Sequence, residues 1–504
     1  MLFNSYIFLL VFMPLTLGVF FLARRFGRWG ACVGLLIAAS WAFYAWWSLF
    51  HFAILIVTLV ANYYFGAACA ERPKPEARVI AIVGICLNLG ILGFFKYWDF
   101  LAGNMAEALG LPYEPLGLLL PLGISFYTFQ QIAYVADCYA SRSHERSFSQ
   151  YALFVSFFPQ LVAGPIVHHS YMRPQFAALT HRPLDPVAPM LGLVVFCVGL
   201  GKKVLIADNL APIADLGFRL AEAGHAPDMG ASWVAALAYS FQIYFDFSGY
   251  SEMAIGLGLL FGLKLPLNFD TPYRSLSIIE FWRRWHITLS TWLRDYIYIP
   301  LGGNRRGEIS RLQNIFVTML LGGIWHGAGW TFVIWGFIHA SLITANHLMR
   351  AGLPALDRDP RWLPPAAKMA LTFLLVTLAW VFFRAESVGG ALTLLSGMTG
   401  GAPGEAAPSY GMADLLMVAL AALLAFRAPP ILRLIAYDPH PDRPLARPRW
   451  LLGPPAAQGA GFAAERGGVL LPAASVPVAI ASGMMLALVI ALIWRPQIFI
   501  YFNF

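Results

Sequence analysis

Long apolar runs separated by short polar connections fill the chain. Each run is about 20 residues long, which is the length that an α-helix needs to cross the hydrocarbon core of a bilayer. The alternating strands of about ten residues that a transmembrane barrel requires are not seen. The pattern predicts an all-α polytopic membrane protein with about 11–13 transmembrane helices, the range reflecting runs that Pro and Gly interrupt. The predicted spans are 5–23, 30–47, 49–70, 79–97, 117–136, 151–167, 189–206, 231–263, 314–325, 330–348, 366–383, 412–426 and 476–494.

Composition supports the same class. Hydrophobic residues make up 59% of the 504 residues and charged residues only 12%, whereas soluble domains carry about 25% charged residues. The net charge of +8 comes from Lys and Arg that lie in the short connections. This distribution is typical of membrane orientation signals and not of a nucleic-acid-binding face. We therefore expect contact with membrane lipids and no nucleic-acid partner.

The charges in the connections also predict the orientation. Lys and Arg cluster at 24–28, 72–78 and 142–146, whereas a predicted loop at 98–115 has neither. Basic connections tend to stay in the cytoplasm. The N-terminus is therefore predicted to be periplasmic, and the C-terminus, after one last span, periplasmic as well.

The stretch around which the chain is organised runs from 279 to 330. It holds two histidines, His286 and His326, with several Arg, Trp and Tyr residues around them. Ionisable groups at membrane depth are costly, roughly 2.5–3.5 kcal/mol each on insertion scales. Their concentration here predicts a reaction centre, although a transporter or channel could use the same groups for a solute path.

His326 lies in the motif GGIWHGAGW, whose glycines would let a long acyl donor approach the imidazole. An imidazole titrates near neutrality, so it could take the proton of a hydroxyl that attacks a thioester. His286, in RRWHITLS, could orient or polarise that site. The structural alternatives are a core histidine bonded to a neighbouring helix for His326 and an interfacial histidine for His286.

A donor-binding tunnel is predicted beside these histidines. Arg283 and Arg284 could clamp the phosphates of a donor, or they could hold a helix end at the lipid headgroups. Trp285, Ser290 and Trp325 are assigned to the same tunnel. Two histidines without a third ligand do not predict a metal site, and the sequence has no G-x-S-x-G elbow.

Three further polar islands interrupt the apolar runs, at 121–131, 157–165 and 243–258. Gln130 in the first and Asp246 in the third are predicted to line the tunnel, since an acid at mid-span needs a partner or a water-lined cavity. Hydrogen bonding between helices is the structural alternative for each island.

Several long motifs resemble one known family. YFDFSGYSEMAIGLG, FWRRWHITLSTWLRDYIYIPLGGN and GGIWHGAGW occur in this order, with PLGISFYTFQ before them and FIYFNF at the end of the chain. They resemble the membrane-bound O-acyltransferase family, and within it the bacterial branch typified by alginate O-acetyltransferase. The resemblance covers essentially the whole chain. Members of that branch tend to have His where this chain has Gln160, which bears on the substrate.

The resemblance implies a ring of helices around a central tunnel, in a bacterial inner membrane. His326 matches the family's catalytic histidine and His286 its second position. The implied reaction moves acetyl from a cytoplasmic thioester, acetyl-CoA or another acyl thioester, to an exported polysaccharide such as alginate, with no tightly bound cofactor. Cellulose, peptidoglycan and teichoic-acid-type polymers remain open as acceptors. The expected partners are a periplasmic acetyltransferase of the SGNH type and a polysaccharide export complex.

The whole chain, 1–504, is predicted to form a single domain. Its catalytic core is expected at about 117–383, and a cytoplasmic insert rich in Arg and Pro at about 427–475. The last span and a tail fill 476–504. This tail resembles an acyl-relay tail known in related D-alanylation systems, which implies that Tyr501 could carry the acyl group.

Overall fold

The protein was analysed as a computed structural model that describes residues 1–352, 363–400, 410–446, 476–492 and 499–500, and these residues contain helices but no β-strand. The first half contains α1 (Met13–Arg25), α2 (Ala31–Ala45), α3 (Leu49–Glu71), α4 (Lys74–Leu92), α5 (Trp98–Leu109), α6 (Ile124–Ser141), α7 (Phe148–Ser156), α8 (Phe158–Leu161), α9 (His169–Leu179), α10 (Val187–Gly201), α11 (Asp208–Glu222) and α12 (Met229–Leu260).

The second half contains α13 (Ile278–Arg284), α14 (Ile287–Leu293), α15 (Glu308–His326), α16 (Trp330–Gly352), α17 (Pro365–Arg384), α18 (Val388–Met398), α19 (Met412–Arg427), α20 (Ile431–Leu434) and α21 (Val476–Leu492). Within the described residues, π-helical turns extend or join these helices at Phe8–Phe12, Gly93–Tyr97, Lys202–Ala207 and Arg294–Tyr298, and a 3₁₀ turn lies at Pro272–Arg274.

The predicted class, an all-α polytopic membrane protein, is confirmed. Within the described residues, seven helical segments are long and apolar enough to cross a membrane. Others are apolar but shorter, such as α2, α18 and the described part of α21. The number of spans, the single-domain division and the orientation of the termini stay predictions.

The structure contains helices, among them α5, α11 and α18, that the sequence analysis did not predict. The predicted loop at 98–115 begins with α5, none of whose residues is buried. Polar residues of α11, such as Asp208 and Arg219, interrupt its apolar pattern in the sequence. One face of the helix is nevertheless buried, through Leu210 and Phe218.

The span predicted at 117–136 becomes helical only at Ile124, where α6 begins. Pro121 lacks a backbone N–H, and Gly117 and Gly123 have φ values of 58° and 70°. These left-handed conformations favour glycine and stop a helix from starting earlier. The run at 151–167 is likewise divided, into α7 and α8, with Pro159 in the first turn of α8.

The longest helix, α12, is buried along most of its length and packs closely against α10. A Cβ atom placed on Gly192 would lie 2.6 Å from the carbonyl oxygen of Gly256, and one on Gly199 would lie 2.6 Å from that of Gly249. Small residues at such crossings let helix backbones touch, and the resulting van der Waals packing is one of the forces that hold helices together in lipid. The pair α10–α12 therefore forms the tightly packed centre of the fold.

Ion pairs join the turn after α10 to both α11 and α12. Lys202 and Lys203 begin the π-helical turn after α10, and Lys202 Nζ lies 2.5 Å from Glu252 Oε1. Lys203 Nζ lies 2.5 Å from Asp246 Oδ1 and 2.8 Å from Asp208 Oδ1. Buried charges persist in a membrane protein when they are paired in this way.

A second close crossing joins α15 and α16. A Cβ atom on Gly323 would lie 2.7 Å from the Cα of Gly336 and 2.7 Å from the carbonyl oxygen of Phe332. The two helices are therefore in backbone contact, which brings the side chains beside Gly336 against the end of α15.

Candidate active site

His326 is the last residue of α15 and is 3% exposed. Its imidazole is surrounded by aromatic rings, with centroid distances of 4.9 Å to Trp325, 5.1 Å to Trp335 and 5.1 Å to Phe383. A Cβ atom on Gly327, the next residue, would lie 2.1 Å from the ring of Phe332. Gly327 is therefore needed to make room for the Phe332 ring, and Gly323 is needed for helix packing. Both glycines have a structural reason besides the predicted approach of a ligand.

Lys96 and Tyr97 hold the end of α15. Lys96 Nζ donates hydrogen bonds to the carbonyl oxygens of Trp325 (2.7 Å) and His326 (2.9 Å), and the Tyr97 hydroxyl donates to that of Ile324 (2.8 Å). The last carbonyls of a helix have no partner within the helix, and a lysine also suits the negative end of the helix dipole. These two residues fix the backbone that carries His326.

His286 lies between α13 and α14 and is fully buried. Its φ of 44° is uncommon for a residue other than glycine, and such strained conformations cluster at functional sites. Its Nδ1 lies 3.0 Å from Asn268 Oδ1, which also accepts a hydrogen bond from the Thr288 hydroxyl (3.0 Å). Because Asn268 Oδ1 is an acceptor, the proton of the imidazole is placed on Nδ1, and Nε2 carries the lone pair.

The structure brings the two histidines together around one indole. The Trp325 ring lies 4.9 Å from the ring of His326 and 6.2 Å from that of His286. Trp325 in turn stacks on Phe129 at 5.1 Å, and Phe129 stacks on Trp292 at 3.7 Å. The two histidines, 40 positions apart in sequence, therefore lie next to the same group of stacked aromatic rings. Their chemical roles stay predictions.

The arginines predicted to bind the donor differ in their surroundings. Arg284 pairs with Glu280 one turn earlier, at 2.6 Å, whereas Arg283 is exposed. The Ser290 hydroxyl donates to the carbonyl oxygen of Trp282, at 3.2 Å. Arg284 therefore stabilises its own helix, Ser290 joins α14 to α13, and Arg283 faces outward.

Trp285, which was assigned to the tunnel, is packed in an aromatic cluster. It is 1% exposed, and its ring lies 5.0 Å from Phe269 and 5.0 Å from Trp380. Gln130 is 2% exposed on α6, and its Oε1 meets no hydrogen-bond partner among the described residues. Its role in lining a tunnel stays a prediction.

Asp246, on α12, takes part in an ion pair and a hydrogen bond, and its tunnel-lining role stays a prediction. It is 1% exposed, pairs with Lys203 and accepts a hydrogen bond from the backbone N–H of Ile500 at 2.8 Å. Tyr501 lies outside the described residues. The preceding Phe499 stacks on Tyr250 at 4.6 Å, so Asp246 holds the chain next to Tyr501 inside the fold.

Besides Lys96, sequence reasoning missed two other buried side chains of this region. Asn268, which orients His286, is 1% exposed, and His339, on α16, is fully buried. The spacing of Trp335 and His339, four positions apart in a helix, could have indicated that both face the same neighbours.

A pocket of about 290 Å³ lies against the end of α15, and Lys96, Asp99, Gly327 and Phe332 are among its lining residues. Asp99 accepts hydrogen bonds from the Tyr113 hydroxyl (2.6 Å) and from backbone N–H groups of the segment that follows. The bond to Asp99 raises the pKa of Tyr113 to about 12, so this phenol stays protonated and holds its segment beside the pocket.

Comparison with known proteins gives a consistent result. The model of the membrane-bound O-acyltransferase family matches residues 119–385. The chain is 43% identical over 427 residues to a peptidoglycan O-acetyltransferase of Helicobacter pylori, covering 79% of this chain and 80% of that protein. It is 42% identical over 407 residues to a probable alginate O-acetylase of Pseudomonas aeruginosa, covering 79% and 75%. A teichoic acid D-alanyltransferase of Bacillus subtilis is 24% identical over 406 residues, covering 76% and 96%.

Proposed function

The chain belongs to the membrane-bound O-acyltransferase family and is a multi-pass membrane acyltransferase, and on this premise we propose that it acetylates an exported polysaccharide from the inner membrane. The observation that carries the proposal is the pair of buried histidines, His286 and His326, around the indole of Trp325. The donor is a cytoplasmic thioester, acetyl-CoA or another acyl thioester.

In the proposed reaction, His326 acts as general base. It takes the proton of the acceptor hydroxyl as the hydroxyl oxygen attacks the thioester carbonyl carbon, and it returns the proton to the departing thiolate. His286, held by Asn268, orients the reacting groups. Burial of both imidazoles excludes water, which favours transfer of the acyl group over its hydrolysis.

The polymer is proposed to be alginate-like, with peptidoglycan, cellulose and teichoic-acid-type polymers as alternatives. Relatives named for alginate and for peptidoglycan are almost equally similar to the chain, at 42–44% and 43% identity. Identity alone therefore does not separate these acceptors. A periplasmic SGNH-type acetyltransferase and an export complex are proposed to receive the acetyl group and deliver the polymer.

The proposal is tested with purified protein in liposomes and acetyl-CoA that carries radiolabel in its acetyl group. Thioester loss, label on an added periplasmic partner and label on each of the four polymers are measured separately. We expect thioester loss coupled to labelling of one polymer. Label that crosses the membrane while the thioester stays intact would instead support a transporter.

Tyr501 is proposed as an acyl relay between the site and the periplasmic partner. The hydrogen bond from the backbone N–H of the neighbouring Ile500 to the buried Asp246 supports this proposal. Tyr501→Phe removes the hydroxyl that an acyl ester needs, so we expect polymer labelling to fall about 10²-fold or more. Phe502→Tyr serves as the control, and a Tyr501→Phe protein that acetylates polymer at the normal rate would refute the relay.

A further inference from the structure

Trp335 and His339 lie one turn apart on α16 and are 1% and 0% exposed. Their rings are in contact, with centroids 4.7 Å apart and an angle of 65° between the planes. Both side chains are polar at one edge and buried among aromatic rings. The reaction described above uses neither of them.

The protonation of His339 follows from its neighbour. Trp282 Nε1 lies 3.2 Å from His339 Nδ1. An indole N–H is only a donor, so Nδ1 must accept, and the imidazole proton is on Nε2. His339 therefore presents an Nε2–H donor, whose direction Trp282 fixes.

The remaining N–H donors of the Trp335–His339 pair have no acceptor in the part of the chain that the structure describes. They are His339 Nε2 and Trp335 Nε1. Buried N–H groups are hydrogen-bonded in the great majority of proteins, and exceptions often belong to binding or catalytic sites. A ligand oxygen is the natural partner for donors that are neutral, buried and adjacent.

Trp335 lies beside the proposed general base, and His339 contacts Trp335. The Trp335 ring meets the His326 ring edge to face, at 5.1 Å and 87°, and Phe383 packs against both rings at 5.1 Å. The backbone contact of Gly323 with Gly336 fixes α16 at this distance. His326, Trp335 and His339 thus form a continuous row of neighbours, and a general base with N–H donors for an oxyanion is the set of groups that acyl transfer to a hydroxyl uses.

We propose that Trp335 Nε1–H and His339 Nε2–H bind the carbonyl oxygen of the donor thioester and the oxyanion that forms from it. When the acceptor oxygen bonds to the carbonyl carbon, its proton passes to His326 and the carbonyl π electrons move onto the bound oxygen. When the carbonyl forms again, the C–S bond breaks and the thiolate takes the proton from His326. Trp335 and His339 keep their protons throughout, and Trp282 acts as a positioning residue. This proposal rests on the proposed acyl transfer.

The test uses the full-length protein in liposomes and compares Trp335→Phe and His339→Phe with wild type. Each variant keeps a ring and loses the N–H donor. We expect kcat to fall about 10²–10³-fold, as for the loss of one oxyanion donor, with the KM for acetyl-CoA changed less than about threefold. Trp233→Phe is the matched control, since it removes an indole N–H that only binds the carbonyl oxygen of Met398.

A spectroscopic readout separates binding from folding. A ketone analogue of acetyl-CoA with ¹³C in its carbonyl is bound to each protein, and the carbonyl stretch is recorded by infrared difference spectroscopy. Donated hydrogen bonds lower this frequency in wild type, and each variant should raise it towards the value of the unbound ketone. If Trp335→Phe does not fold, kcat and the carbonyl frequency of His339→Phe provide the same test.

The outcomes distinguish the two proposals. A wild-type protein that transfers no acetyl refutes the proposed function. A wild type that transfers acetyl, with folded variants that keep both kcat within about threefold and the wild-type carbonyl frequency, refutes only the oxyanion site.

Discussion

His326→Ala is expected to lower the rate of acetyl transfer by about 10³-fold or more, since a positioned general base contributes about 10²–10⁴-fold. The imidazole is buried in a cage of three aromatic rings, where no solvent base can replace it. His326→Gln keeps most of the side-chain volume without a base and should lose a similar factor. The measurement is single-turnover loss of labelled acetyl-CoA in liposomes.

His181→Ala is the matched control, because His181 is an exposed histidine after α9. Thermal unfolding in detergent verifies that each variant is folded. Variants of His326 that fold and still transfer acetyl within about threefold of wild type would move the base elsewhere, with His286 as the next candidate. A loss in His326→Ala that His326→Gln restores would indicate a packing role.

Lys96→Met is expected to lower kcat by about 10–10²-fold, because a displacement of about 1 Å at a reacting group can have an effect of this size. The variant keeps the aliphatic chain but leaves the carbonyl oxygens of Trp325 and His326 without their donor. Each buried carbonyl left unsatisfied destabilises by roughly 1–3 kcal/mol. The thermal midpoint should therefore fall together with kcat.

Lys96→Arg provides the matched comparison, since it retains charge and donors. It should recover part of both the activity and the thermal midpoint. A Lys96→Met protein with wild-type kcat and stability would show that the end of α15 is held by other contacts, such as the Tyr97 hydroxyl. If Lys96→Arg is as impaired as Lys96→Met, the shape of the lysine and not its hydrogen bonding matters.

The apolar helices were predictable because length and hydropathy alone define them. The span predicted at 49–70 is α3, Leu49–Glu71, and that predicted at 412–426 is α19, Met412–Arg427. By contrast, α11 was missed because it is amphipathic and packs on α12 through one face. A helix of this kind depends on tertiary contacts, which hydropathy does not reveal.

Within the candidate site, the two histidines could be found because they are rare polar residues in an apolar context. Lys96 could not, since its importance comes from a contact with a residue 230 positions away. The same holds for Asn268, whose role depends on the backbone geometry of His286, and for His339, whose protonation depends on Trp282. Such pairings are properties of the fold.

The ion pairs of Lys202 and Lys203 have a consequence for how the protein is made. Synthesis delivers α10 to the insertion machinery before α12, so the two lysines arrive ahead of Asp246 and Glu252. Each uncompensated charge would raise the insertion energy by roughly 2.5–3.5 kcal/mol. Lys203 can pair with Asp208 as soon as α11 has been made, whereas the pairs with Glu252 and Asp246 form only after α12 has entered. Full compensation of the two lysines therefore depends on the arrival of α12, which couples the membrane integration of α10 and α11 to that of the helix that follows them.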